Sequence, residues 1–161
     1  MLKHEITESA LNDNELLRIA FEGFYHLFLS QDTGIMSLTE IQRQAIIVFI
    51  YATDVWRGGH FSFLDLNFKK IGIQAVIDSL KALNINEKYI ENLTPIADNF
   101  IFPDEWPKDD EQYESLYSRI SDLLDPLNKL LYEEAAQEEF INKTLAYVKN
   151  NHLEFFEIKG G

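Results

Sequence analysis

The chain has 161 residues, 46% of them hydrophobic, which is enough for one domain with a substantial core. It has no cysteine, which excludes disulfides, thiolate metal sites and cysteine nucleophiles. Its 27 acidic residues outnumber 14 basic ones, and the net charge of −13 argues against direct binding to nucleic acid or anionic membranes. The N-terminus lacks the apolar run of a signal peptide, and residues 45–52 form an apolar stretch too short to cross a bilayer. These features favour a cytoplasmic protein.

Helical periodicity dominates the first third of the chain. A helix is predicted from a cap at Asn12 or Asp13 to about residue 30, because apolar residues recur every three or four positions. The residues of this stripe are Leu16, Leu17, Ala20, Phe21, Phe24, Leu27 and Phe28. Ser37 and Glu40 have the spacing of a capping box, which predicts the start of a second helix running to residue 55 or 56. Gly58 and Gly59 are predicted to end it, since glycine adopts the left-handed conformation common at helix ends.

The rest of the chain also has helical patterns. Further helices are predicted over residues 68–83 and 87–100, followed by a long loop at 102–111. A helix over residues 113–131 is expected to be divided at Pro126, with Asp125 capping the second piece, and the last helix covers 133–150. The predicted fold is therefore an all-α, single-domain bundle of about six to eight helices over residues 1–161.

No pattern typical of catalysis or of cofactor binding is present. The histidines His4, His26, His60 and His152 are far apart and lack metal-ligand spacing, so each is predicted to be a surface or packed residue. Gly58-Gly59 lacks the Lys-Ser/Thr of a phosphate loop. Carboxylates are too numerous for any pair to indicate a catalytic acid and base. We predict no catalytic residue, no metal site, no cofactor and no enzymatic activity.

Negative charge is concentrated in the middle of the chain, where residues 87–125 hold eleven acidic and three basic side chains. Glu134 and Glu138 are four apart, so on a helix they share a face that is either solvated or awaits a cationic partner. The candidate partner-binding residues are Asp104, Glu105, Asp109, Asp110, Glu111, Glu114, Glu133, Glu134, Glu138 and Glu139. Charge that serves only solubility is the alternative.

Several elements occur in an order known from one bacterial family. A Gly-Gly-aromatic turn is followed by a helix with an Ile-Gly pair, a Leu-Asp element and a final helix with a Tyr-Val step. In this chain they are Arg57-Gly58-Gly59-His60-Phe61, Ile71-Gly72, Leu124-Asp125 and Tyr147-Val148. Over residues 38–155 the chain resembles the DNA-mimic-protein-like family. It departs from the family pattern at Arg57, where Asn is usual, and at His60, which displaces the aromatic residue and leaves it at Phe61.

The resemblance implies an all-α homodimer whose acidic surface imitates duplex DNA and occupies the DNA-binding face of a transcription factor. Three other readings stay open: an immunity- or antitoxin-like inhibitor of a basic toxin or nuclease, an enzyme with an unrecognised carboxylate site, and a domain acidic only for solubility. Under the first reading, reversing the loop charges, Asp109 among them, should leave folding intact and weaken partner binding.

Overall fold

A computed structural model describes residues 1–99 and 107–160, with side chains placed in these ranges except at 65–70 and 99. In those residues seven helices follow one another: α1 (Asn14–Ser30), α2 (Glu40–Ile71), α3 (Ile73–Ala82), α4 (Glu87–Asn99), α5 (Asp110–Leu130), α6 (Ala136–Asn150) and α7 (His152–Phe155). Short 3-10 helices at Glu8–Asn12 and Ile35–Ser37 flank α1. The all-α prediction is confirmed, with the addition of two short strands, β1 (His4–Thr7) and β2 (Phe156–Lys159).

Helix α1 begins where the sequence predicts. The Asp13 carboxylate accepts a hydrogen bond from the Leu16 amide at 3.0 Å, which satisfies one of the unpaired donors of the first turn. Most of the predicted apolar stripe is buried, including Phe21, Phe24 and Phe28. Leu16 is an exception, because it lies on the outer side of the first turn and is exposed.

The capping box of α2 lies two residues later than predicted. The Thr39 hydroxyl accepts from the Gln42 amide at 3.3 Å, and the Gln42 side-chain oxygen accepts from the Thr39 amide at 3.0 Å. Ser37 instead donates its hydroxyl proton to the Gly34 carbonyl at 2.7 Å, inside the preceding turn. The prediction of a box at Ser37 and Glu40 is therefore wrong.

Gln42 also joins the two ends of the chain. Its side-chain amide donates to the Leu2 carbonyl at 2.8 Å and to the Glu154 carbonyl at 2.7 Å, and the residue is only 1% exposed. Beside these bonds β1 and β2 pair in parallel, with His4 opposite Phe156. The bonds of Gln42 hold both terminal segments against the start of α2.

Two glycines with positive φ interrupt the predicted helices. Gly59 (φ 78°, ψ 176°) breaks the helical path of α2, as predicted, but the helix resumes immediately and continues to Ile71. Gly72 (φ 77°, ψ 151°) separates α2 from α3, so the single helix predicted over residues 68–83 is wrong. Backbone of this conformation is essentially restricted to glycine, which explains the breaks at these two positions.

Prolines do not divide the helices that contain them. Pro126 lies inside a continuous α5, so the predicted division with a cap at Asp125 is wrong. Pro126 deprives the Asp122 carbonyl of its helical partner. Both residues are exposed, so water can bond to that carbonyl and the helix continues. Pro95 is likewise contained within α4.

The core has two clusters that meet on α2. One joins the first half of α2 to α1, α6, α7 and the strands, and the other joins α2 to α3, α4, α5 and Phe140 of α6. Helices α4 and α5 run antiparallel, since the Tyr89 hydroxyl near the start of α4 donates to the Leu130 carbonyl at the end of α5 at 3.3 Å. This packing buries one face of α5 and leaves the opposite face in solvent.

Replacing Gln42 with methionine keeps the size of the side chain and removes its hydrogen bonds. We expect the free energy of unfolding to fall by about 2–4 kcal/mol, because the Leu2 and Glu154 carbonyls and the Thr39 amide lose their partners. Urea denaturation measures the difference. Gln112→Met, at an exposed position of α5, is the control and should change stability by less than about 0.5 kcal/mol. Equal losses in the two variants would contradict this role of Gln42.

Candidate acidic binding surface

The outer face of α5 carries a row of carboxylates. Glu111, Glu114, Asp122 and Asp125 recur at helical spacing, directly opposite the buried stripe of the same helix, and all four are exposed. The buried stripe consists of Leu116, Ile120, Leu124, Leu127 and Leu130. Asp110 lies beside the row in the first turn and is also exposed. We call Asp110, Glu111, Glu114, Asp122 and Asp125 together the α5 acidic face.

No member of the α5 acidic face forms an ion pair within residues 1–99 and 107–160. Acids in the first turn, such as Asp110 and Glu111, stabilise a helix through its dipole. Glu114, Asp122 and Asp125 lie beyond that turn, and Asp125 approaches the negative end of the dipole. Helix stability therefore does not explain the later carboxylates.

Asp109 differs from the other acids of this segment. Its carboxylate accepts from the Gln112 amide at 2.8 Å and caps the N-terminus of α5. Reversing its charge would also remove this cap, which is expected to lower the free energy of unfolding by about 1 kcal/mol, so Asp109 is not suited to a test of surface charge alone. Two further predicted residues, Asp104 and Glu105, lie outside the described residues.

The predicted acids near α6 form a second group, which basic residues partly neutralise. Ala135 is left-handed (φ 60°) and α6 begins at Ala136, so Glu133 and Glu134 precede the helix, contrary to the prediction. Glu133 lies 3.7 Å from the Lys88 ammonium. Glu134, Glu138 and Glu139 line one shallow depression that also contains Lys143.

Tyr89 connects this second group to the end of α5. Burial raises the pKa of the Tyr89 hydroxyl, and the negative charges of Glu133 and Glu139 raise it further. The phenol therefore stays protonated and donates to the Leu130 carbonyl.

The glycine turn has a structural role and packs against α5. Arg57 is exposed and reaches back to the buried Asp54 carboxylate at 3.3 Å. A Cβ on Gly58 would lie 2.7 Å from the Ser62 hydroxyl oxygen, too close for any other residue without movement of Ser62. Phe61 is buried, and its ring packs edge-on against those of Tyr113 and Tyr117 of α5.

His60, next to this turn, belongs to a buried polar network that the sequence did not reveal. The Asn128 side-chain oxygen accepts from the His60 backbone amide at 3.0 Å and from its Nδ1 at 2.7 Å. His60 Nε2 then accepts from the hydroxyl of Tyr51, whose pKa burial raises, so that it remains a donor. Burial lowers the pKa of His60 to about 4, although the bond to Asn128 opposes the shift. The imidazole is thus neutral at pH 7.

Residues 36–151 match the sequence profile of the family described as DMP19-like protein. The chain belongs to this family. The predicted resemblance to the DNA-mimic-protein-like family is confirmed. No curated protein and no solved structure matches the chain.

The part of this DMP19-like chain that matches the family contains all of α2, α3, α4, α5 and α6. It therefore includes the Gly59 turn, the His60 network and the α5 acidic face. Strand β1, helix α1 and strand β2 lie outside it. The acidic surface is accordingly built on the matched region alone.

The described parts of this DMP19-like chain contain neither a cluster of metal ligands nor a membrane-spanning helix. Within them, no three histidine, aspartate or glutamate side chains come together in an arrangement suited to a metal ion. In the same residues, no helix combines the length and the apolar character needed to cross a membrane.

The buried neutral state of His60 makes stability depend on pH. Its pKa is about 4 in the folded protein and about 6.5 in an unfolded chain, so the unfolded chain takes up the proton first as the pH falls. The stabilising contribution is present above about pH 6.5 and is lost between about pH 6.5 and 4, by up to about 3 kcal/mol.

Urea denaturation across this pH range tests the effect of His60. His60→Gln should flatten the decline in stability relative to the wild type. His26→Gln, which changes an exposed histidine, should leave the wild-type profile intact. If the wild type and His60→Gln declined in parallel, His60 would not be the responsible group.

Proposed function

We propose that this protein is an acidic binding module that imitates DNA and occupies the DNA-binding surface of a basic transcription factor or other nucleic-acid-binding protein. The observation that carries the proposal is the α5 acidic face, five exposed carboxylates without an ion pair in the described residues. Membership of the DMP19-like protein family supports it. The protein acts by binding and not by catalysis, in the cytoplasm of a bacterial cell.

The spacing of the carboxylates supports mimicry of one DNA strand. Residues 111 and 125 are separated by about 21 Å along the helix axis, and neighbours at i,i+3 or i,i+4 lie about 5–6 Å apart. A DNA strand presents one phosphate per about 3.4 Å of axis, or about six over this length. The row on α5 supplies four carboxylates over the same length. Ser118 occupies the position between Glu114 and Asp122 where a further carboxylate would continue the row.

Helix α4 provides a second row of acids next to α5. Glu87, Glu91 and Asp98 are exposed at spacings of four and seven residues, which place them on one side of α4. Two antiparallel helices with outward carboxylates resemble two phosphate strands more closely than one helix does. A homodimer would double this charge and extend the surface toward the length of a protein-binding site on DNA.

The α5 acidic face is a better candidate than the group near α6. Lys88 and Lys143 lie among Glu133, Glu134, Glu138 and Glu139 and reduce their net charge. The α5 carboxylates form no ion pair within the described residues and repel one another, so a basic surface docked on them relieves repulsion as well as adding attraction. Binding of this kind weakens strongly with salt.

Neutralising the α5 acidic face should weaken partner binding without unfolding the protein. The variant combines Asp110→Asn, Glu111→Gln, Glu114→Gln, Asp122→Asn and Asp125→Asn, and leaves the Asp109 cap in place. We expect at least about a tenfold loss of affinity, since five charge contacts are removed and each contributes a few tenths of a kcal/mol or more. The partner is first captured from native bacterial lysate and identified, and its affinity is then measured by calorimetry at low and high salt.

A matched control removes the same charge elsewhere. Glu8→Gln, Glu15→Gln, Asp32→Asn, Asp78→Asn and Glu157→Gln also change the net charge from −13 to −8, at exposed positions outside α2, α4 and α5. This control should keep the affinity within about threefold, because distant exposed charges are screened. Equal losses in the two variants would show that net charge, and not the α5 acidic face, determines binding.

The identity of the partner decides between related functions. A basic DNA-binding protein that duplex DNA displaces from the complex supports mimicry. A toxin or nuclease would favour an immunity- or antitoxin-like inhibitor instead. The absence of any specific partner at low salt would indicate that the charge serves solubility.

Adding a carboxylate at position 118 should make the α5 acidic face bind its partner more tightly. Ser118→Glu places a carboxylate four residues from both Glu114 and Asp122, and we expect the partner to bind about threefold more tightly with a steeper salt dependence. Repulsion along the helix should lower stability by about 0.5 kcal/mol. Ser118→Gln is the neutral control of similar size. If Ser118→Glu and Ser118→Gln bound the partner with equal affinity, a continuous row of charge on α5 would not contribute to binding.

A further inference from the structure

A small apolar cavity lies between α1, α2 and α6, away from the acidic surface. Its floor is formed by buried residues, including Phe21, Phe140 and Leu145, and its walls by the half-buried rings of Phe49 and Trp56. The volume is about 110 Å³. A protein cavity of about 150 Å³ holds a benzene molecule, so a cavity of this size that opens to solvent fits one small ring.

One polar group on the floor of the cavity has no hydrogen-bond partner among the described residues. Thr144 is 6% exposed and lines the cavity, and its hydroxyl forms no hydrogen bond with any described residue. Other helical threonines of this chain bond to the carbonyl four residues earlier, Thr53 at 2.8 Å and Thr94 at 2.7 Å. A buried hydroxyl that no protein group satisfies takes water or a ligand as its partner, and a ligand with one hydrogen-bonding group meets that need.

The walls of the cavity suit an aromatic ring. Trp56 and Phe140 pack edge-on with centroids 4.9 Å apart, and Phe21 and Phe49 do so at 5.5 Å. Rings in such arrangements offer both faces and edges to a further ring. An aromatic ligand therefore meets favourable contacts on several sides of the cavity.

The mouth of the cavity selects against charged ligands. Arg18 and Glu22 line it and pair with each other at 3.4 Å, so neither presents an uncompensated charge. The net charge of −13 repels anions from the protein as a whole. A cation would have to leave its hydration shell for apolar walls.

We propose that this cavity is a binding site for a small, uncharged aromatic molecule with one hydrogen-bonding group, which pairs with the Thr144 hydroxyl. The ring lies among Phe21, Trp56 and Phe140. The site is separate from the α5 acidic face, and the proposal does not depend on what that face binds.

Titrations with phenol, toluene and benzoate, followed by ¹H–¹⁵N NMR, test the ligand class. The Trp56 indole N–H is the reporter, and Trp106→Phe leaves it as the only indole signal. Phenol should saturate the Trp56 and Thr144 signals with a dissociation constant of about 1 mM, as expected for a ligand of seven heavy atoms. Toluene should bind about fivefold more weakly, since it makes no hydrogen bond, and benzoate more weakly still.

Thr144→Val removes the hydroxyl while keeping the shape of the side chain. It should weaken phenol binding about fivefold and leave toluene binding unchanged or stronger. Thr144→Ser, which keeps the hydroxyl, should retain the preference for phenol. An unchanged or higher melting temperature of Thr144→Val would show that the loss is not caused by unfolding. Absence of saturable shifts with phenol, or equal binding of phenol and toluene to the wild type, would overturn the proposal.

Discussion

The hydrogen bonds from His60 to Asn128 attach α5 to the middle of α2, and the position of the acidic surface depends on them. Gly59 adopts a backbone conformation closed to other residues, which turns the His60 amide out of the helical path toward α5. Contacts at both ends of α5 reinforce this attachment. Phe61 packs on the rings of Tyr113 and Tyr117 near its start, and the Trp56 indole donates to the Leu131 carbonyl just beyond its end at 3.3 Å.

The two faces of α5 make opposite contributions to stability. Like charges one turn apart on the outer face each cost about 0.2–0.5 kcal/mol, and carboxylates near the C-terminus oppose the helix dipole. Burial of Leu116, Ile120, Leu124 and Leu127 on the inner face contributes about 1.5–3 kcal/mol for each side chain. The packed face therefore fixes the stretch of helix backbone that carries the repelling carboxylates before any partner arrives. Fixed charges lose less conformational entropy on binding than charges in a loop would.

Local patterns predicted those parts of the fold that local interactions determine. The periodic stripe of α1, its Asp13 cap, the Gly59 break and the start of α4 at Glu87 all follow from neighbours in sequence. The choice of Thr39 over Ser37 as the cap of α2 depends on Gln42, whose side chain is held by residues 40 and 112 positions away. The β1–β2 pair joins segments from opposite ends of the chain, and four residues are too few for a strand signal. Asp122 and Asp125 precede Pro126 within the predicted helix, but that helix was predicted to start at residue 113, which left Asp110 and Glu111 in a loop and hid the row that they form with the later carboxylates.

The cavity and the acidic face belong to different parts of the molecule, and the packing suggests why both can coexist. The acidic face needs only α2, α4 and α5, which lie within the region shared with the family. The cavity also needs α1, which precedes that region and contributes Phe21. In the core, Phe140 of the cavity packs against Trp56 on one side and Tyr89 on another. Because Trp56 and Tyr89 both donate to carbonyls at the end of α5, a ligand that shifted Phe140 would act on the helix that carries the acidic face.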